Sequence, residues 1–170
     1  MITIPALLIA KTVFIMGLAL WATILTINNI TDPRTNIKLV TAMQKMILIK
    51  QDPSAGGQKL LWRSIDKPGA AKFSFLIALV LQIISVSILW WSAYLLINAI
   101  FIGTYSQAAM NEAILIANLG LCCLLIEWFM FLCGGLWFAY WIKMGEVQLV
   151  HLLMLLITLT GFIFINLPVI

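Results

Sequence analysis

Apolar residues run along this chain in four long stretches, at about residues 12–30, 73–102, 113–142 and 147–167, the first opening anywhere between Pro5 and Thr12. A hydrocarbon core takes roughly 20 helical residues to cross, and each stretch meets or approaches that length. A soluble core would show short apolar runs broken by charge, so the pattern predicts an all-α four-helix transmembrane bundle, one integral membrane domain over 1–170. The second and third stretches reach about thirty residues, which predicts tilt or extension past the bilayer. Only Lys143 to Glu146 separate the third from the fourth, so those two helices must be antiparallel neighbours.

The polar segment 31–72 has its own pattern. Asn28-Asn29-Ile30-Thr31-Asp32-Pro33 stops the first span, with Asp32 placed to cap a following helix that starts at Pro33. Asn29-Ile30-Thr31 fits a glycosylation sequon, but it abuts the membrane. From Asn36 to Ile49, Ile37, Val40, Met43, Met46 and Ile47 recur three or four apart while Lys38, Thr41 and Lys45 take the other face. That predicts one amphipathic helix, either laid on the membrane or a partner, or packed as a cap over the bundle's own loop end. Gln51 to Gly57 is a dense turn signal, and a short element over Lys59 to Ile65 sets Trp62 beside Arg63 at interface level. Lys38, Lys45, Trp62 and Arg63 are the candidate contacts to a membrane surface or a partner.

Composition agrees: 64% of residues are hydrophobic and 9% charged, against roughly a quarter charged in a soluble domain. Eight of the ten Lys and Arg residues (Arg34, Lys38, Lys45, Lys50, Lys59, Arg63, Lys67 and Lys72) lie in the segment between the first and second spans, against Asp32, Asp52 and Asp66. The positive-inside rule then puts this segment in the cytoplasm, with Lys11 a small vote the other way, snorkelling towards an interface. Basic charge beside a membrane reads as lipid-facing or orienting, so the lipid bilayer is an expected partner and nucleic acid is not. The first apolar stretch runs on to Ile30 without a signal cleavage pattern, and is read as a span. Cys122, Cys123 and Cys133 share one apolar helix, which argues for packing residues rather than a disulfide framework.

Glu127 is the sharpest feature. It falls at the midpoint of the third stretch with no other charge for about fifteen residues on either side. A charged residue at the centre of a span costs about 2.5 to 3.5 kcal/mol on insertion scales, so such groups face the protein interior or a wet cavity. Gly120, Cys123 and Gly134 recur on its face at helical spacing, and small residues let another helix approach. Three roles compete: a protonated acid hydrogen-bonded to another helix, a contact with a partner subunit, bound lipid or cofactor, and a proton-relay or ion site. Ser85, Ser87, Thr158 and Thr160 are candidate partners at comparable depth.

His151 is the only histidine and reads as an interfacial hydrogen-bonder; alone it excludes a bis-histidine haem site within this chain, and no metal-ligand spacing accompanies it. Trp137-Phe138-Ala139-Tyr140-Trp141 reads as an interfacial belt, with Trp90-Trp91 deeper in the second span. With no phosphate-cradling loop, nucleophile elbow or paired catalytic carboxylates in the sequence, no catalytic residue and no cofactor other than bound lipid is expected.

Lys11-Thr12, Asn28 to Asp32, Asn36 with Val40 and Met43, Leu61-Trp62-Arg63-Ser64-Ile65 and Gly134 to Trp141 together make the chain similar to the bacterial predicted small integral membrane proteins of domain-of-unknown-function family two-one-six-five. The resemblance covers nearly the whole chain. It implies a four-span protein of the bacterial inner membrane without an assigned activity. In that family an acidic residue often stands where Leu136 follows the glycine pair, whereas the acid here comes nine positions earlier, at Glu127, so no role transfers. The connector between the second and third spans, basic in relatives, carries no Lys or Arg here, which points to a partner holding the protein in place.

These readings converge on a non-catalytic accessory subunit of a larger membrane complex, of respiratory or monooxygenase type. The rival is a small transporter or proton conductor using Glu127 with Gln82, Ser85 or Thr158. A third reading is an envelope-maintenance protein binding lipid through the helix over 36–49.

Overall fold

Helix α1 (Ala6–Thr31), α4 (Ala70–Phe101), α5 (Gln107–Trp137) and α6 (Gly145–Ile165) are long and apolar enough to cross a membrane, as the four-span pattern predicts. The computed structural model describes residues 6–101 and 107–168, and over these the chain is helical with no strand. The principal packings are α1 on α4, α4 on α5 and α5 on α6, with α6 also touching α1. Leu8, Ile15, Leu89, Leu96, Leu121 and Leu124 sit at the centre, essentially inaccessible. Outward, each long helix shows large apolar side chains such as Val13, Phe73, Phe129 and Ile163. In lipid those groups cost nothing to expose, and close packing rather than hydrophobic drive holds helices together. Small residues accordingly line the contacts, among them Ala19, Ala93, Ala113 and Ala117.

The segment between α1 and α4 folds as a shelf. Asp32 caps α2 (Pro33–Gln44), accepting from Thr35 N at 3.3 Å and Thr35 Oγ1 at 2.6 Å, so the predicted cap and proline start both hold. These bonds lower the Asp32 pKa, the Thr35 hydroxyl contributing most. The single helix expected over 36–49 is instead two, because Met46 takes a left-handed conformation (φ 51°) and α3 (Ile47–Gln51) starts in a new direction. That bend turns Met46 and Ile49 onto Phe138 and Ala139, in a small apolar core flanked by Met43, Leu60, Leu61, Ile65 and Ile142. The segment thus packs as a cap over the bundle's loop end, with Lys38, Leu39, Leu48 and Lys50 left exposed on its outer side.

The third span also departs from expectation, ending at Trp137 rather than running to 142. Ala139 is left-handed (φ 53°), and Tyr140–Ile142 form a 3-10 turn leading to α6. Gly135 permits the reversal: the Tyr140 ring lies where a β-carbon would project. The shelf and this turn share one side of the bundle, where Lys143 pairs with Asp52 at 2.5 Å. Nine of the ten Lys and Arg residues therefore lie on that side, and Lys11 alone lies toward the other.

Candidate functional site

Glu127 is buried, 1% exposed, and accepts a 2.7 Å hydrogen bond from Gln82 Nε2 on α4. Gln82 Oε1 in turn accepts from Asn29 Nδ2 at 2.6 Å, and Asn29 Oδ1 accepts from Asn36 Nδ2 at 2.5 Å. Four side chains on α5, α4, α1 and α2 thus form one line from the α1–α2 joint into the bundle. Each comes from a different helix, so the line fixes the relative rotation of four elements.

Helical rise places its inner end. Glu127 lies ten residues from the end of α5 at Trp137, about 15 Å at 1.5 Å per residue. In the other direction Asn118 lies nine residues away and forms a reciprocal amide pair with Asn166, at the end of α6, at 2.9 and 2.8 Å; the rise there is about 13 Å. Both distances are near half a hydrocarbon core about 30 Å thick. The acid therefore lies near the middle of the stretch of α5 between Asn118 and Trp137, screened by protein.

The polar partners expected from depth alone are engaged elsewhere. Ser85 and Ser87 donate to carbonyls of their own helix, Leu81 and Ile83. Thr158 accepts from Trp128 Nε1 at 3.1 Å and donates to the Met154 carbonyl, while Thr160 faces outward. Gln82, expected only as part of a path, is the direct partner of Glu127. Asn29 and Asn36, read as a stop signal and a family motif, prove to be the rest of the line. Their signal was polarity at a span's end, which a loop explains equally well. With Asn29 so bonded, the sequon carries a side chain committed to the protein interior.

Among the small residues, Gly120 does admit a neighbour: a β-carbon there would lie 2.8 Å from Leu89 Cδ2 on α4. Gly134 does not, since a β-carbon would meet nothing within 4 Å; the close approach belongs to Gly135. Cys123 is half-buried, while Cys122 and Cys133 are exposed, so the cysteines are mostly outward-facing and not core-packing as expected. Lys11 does not snorkel: it is buried and donates to the Leu167 carbonyl just past the end of α6, where a cation suits the helix dipole. Trp90 Nε1 donates to Thr23 Oγ1 at 2.9 Å, and Trp91 stacks on Tyr94.

On the shelf side, Lys38 is exposed, and Lys45 pairs with Asp66 at 2.6 Å, which lowers the Asp66 pKa. The Lys143 ammonium and then the Ser54 hydroxyl bring Asp52 down to about 2. Trp62 is 70% exposed, and the Arg63 guanidinium lies over both Trp62, at 5.3 Å, and Trp137, at 5.0 Å. Trp62 and Arg63 thus clamp the shelf to the end of α5 through cation–π contacts, as well as facing the surface. His151 meets Tyr140 Oη at 3.3 Å through Nδ1 and lies against Phe131, a hydrogen-bonded position near the α5–α6 turn. Among the described residues, no group of three or more His, Cys, Asp or Glu is placed to hold a metal ion.

The chain belongs to the family described as predicted small integral membrane protein (DUF2165), whose model matches residues 7–168. No curated protein and no solved structure matches it.

Proposed function

We propose that this member of the family is a non-catalytic accessory subunit of a larger membrane complex, in the bacterial inner membrane, with its basic shelf on the cytoplasmic side as the docking surface. The observation that carries the reading is where the buried polar groups go. Glu127 is bonded to Gln82, Trp128 to Thr158, Asn118 to Asn166, and Lys11 to the Leu167 carbonyl. Each of these ties joins one helix to another. Side chains that would serve chemistry are spent on holding the bundle together, which leaves the surface to do the work. The shelf is ready-made for that: its own core fixes it, and Arg34, Lys38, Lys50, Lys59, Lys67 and Lys72 are all exposed on it or at its edge.

The test is purification of the tagged full chain in mild detergent, with the mass of the particle and its constituent chains determined. A stoichiometric assembly that loses its other chains when Lys38, Lys50 and Lys59 are changed to Ser is expected. A monomer that moves protons in liposomes and stops doing so in Glu127→Gln would overturn the reading in favour of the proton conductor. One observation favours that rival: the Asn36, Asn29, Gln82, Glu127 line leads from the shelf into the bundle.

A further inference from the structure

The line of hydrogen bonds from Asn36 to Glu127 has a direction. A carboxylate only accepts, a carboxylic acid also has one O–H to donate, and a primary amide has one donating and one accepting end. Gln82 turns Nε2 to Glu127, which leaves its Oε1 for Asn29 Nδ2, which leaves Asn29 Oδ1 for Asn36 Nδ2. Each amide is oriented by the group inside it, and the innermost is oriented by Glu127. We propose that Glu127 is a proton-binding site whose occupancy is relayed through Gln82 and Asn29 to Asn36, so that the seating of α2 on the bundle follows the protonation of a buried carboxyl group.

The relay works by exchanging donors for acceptors. With Glu127 ionised, every N–H in the line points inward and the Asn36 carbonyl oxygen is the end left for the surface. When Glu127 takes up a proton, its new O–H donates to Gln82 Oε1. Gln82 then offers Nε2 to Asn29 Oδ1, Asn29 offers Nδ2 to Asn36 Oδ1, and the Asn36 amide N–H group is left facing outward. One O–H bond forms on Glu127 as one breaks in a hydronium ion of the surrounding water, and the line keeps its three hydrogen bonds in both states. Only the outer end changes, from acceptor to donor, and that end belongs to α2, the first helix of the shelf, which packs on α4.

The surroundings leave Glu127 as the group that decides. On α4, Lys72 and Tyr94 are exposed, ten and twelve residues from Gln82, which is about 15 and 18 Å of helical rise. On α1, Lys11 is eighteen residues from Asn29 and bonded to Leu167. On α6, His151 is held by Tyr140 and Glu146 is exposed. On α5 itself, Cys123 is half-buried one turn away, and Cys122, Cys133 and Glu112 are exposed. On α2, Arg34 and Lys38 are exposed. Among the described residues the ion pairs are Lys45–Asp66 and Lys143–Asp52, so no cation is paired with Glu127.

The proposal goes beyond the accessory-subunit reading and does not depend on it. It is tested on the full chain in lipid nanodiscs, titrated between about pH 4 and about pH 9. Infrared difference spectra follow the carboxylic C=O band, and hydrogen exchange, corrected for its intrinsic pH dependence, follows the amides of 33–44. A carboxylic band that titrates and is missing in Glu127→Gln is expected. The protection of 33–44 should change with the same midpoint by up to about fivefold, the factor that one hydrogen bond gained or lost at the outer end of Asn36 represents. In Asn29→Leu the band should still titrate while the protection of 33–44 no longer follows it; Asn36→Ala, at the surface end, should give the same uncoupling if Asn29→Leu does not fold. A band that does not titrate would overturn the proposal, as would protection of 33–44 that follows pH equally in the wild type and in the uncoupled variant. Failure of the co-purification test would leave these outcomes unchanged, so the two readings fall separately.

Discussion

The bundle and the shelf are made from one chain under two different solvents, and they are held by different forces. In the bundle, large apolar side chains face outward and the contacts are made by small residues and a few buried polar ties. Lipid tails offer an apolar residue nearly as good a home as a protein core does, so close approach and hydrogen bonds decide the packing. On the shelf, Met46 and Ile49 are buried with Phe138 and Ala139, charged groups face outward and ion pairs close the rim. There water drives the apolar residues inward in the ordinary way. A substitution should therefore be read differently on the two sides of the α5 end.

The sharpest break in that comparison is Ile49→Ala, which removes apolar volume where the hydrophobic effect operates. It should destabilise the shelf by about 2 to 4 kcal/mol, read as lost hydrogen-exchange protection over 33–65 with the bundle's amides unchanged. Gly120→Leu tests the opposite rule. It adds apolar surface to a membrane helix yet obstructs Leu89, and the cost expected is about 1 to 3 kcal/mol, measured as a drop in thermal stability in detergent. Equal effects of both changes on both regions would erase the distinction.

Gln82→Leu leaves Glu127 without its partner and should cost about 1 to 2 kcal/mol. The double change Gln82→Leu with Glu127→Leu should recover most of this, because the polar group left unpaired is then gone. An additive double mutant would mean that the two side chains do not act as a pair.

The smallest effect is the pH response of the shelf. Asp52 is held at about 2, below its ordinary 3.8, so the stabilisation from its tie to Lys143 is fully present above 3.8 and is lost as pH falls through about 2. Hydrogen exchange of 47–58 should be flat, after intrinsic correction, from neutral pH to about 4 and should quicken only below that. In Lys143→Met the exchange of 47–58 should already be faster at neutral pH and the acid quickening should shrink, because Asp52 then titrates nearer its unfolded value. The bundle's amides should not follow either change.

How much of this could be read in advance depends on the same contrast. Span number, the Asp32 cap and the burial of Glu127 were legible, because each follows from local cost: apolar length, a capping side chain before proline, a charge in oil. The choice of Gln82 over Ser85 was not, because α4 is apolar all round and no stripe marks which way its few polar groups turn. The left-handed residues were hidden as well, since neither Met46 nor Ala139 is a type that favours φ above zero. Gly134-Gly135, expected within a span that continued to 142, lie just before the second of these bends, and only the position of the Tyr140 ring tells which glycine is required.

The amino-acid sequence by itself determined that four helices cross a bilayer, that basic charge gathers at one side, and that an acid is carried between them into the interior. Those properties depend on transfer from water to lipid, which each residue undergoes largely alone. Only the tertiary structure decided that Glu127 meets Gln82, that Asn29 and Asn36 extend the line to the shelf, and that the shelf folds onto the α5–α6 turn. These depend on the rotation and depth of one helix against another, and in lipid that is set by shape and by paired polar groups, which exist only once the helices have met.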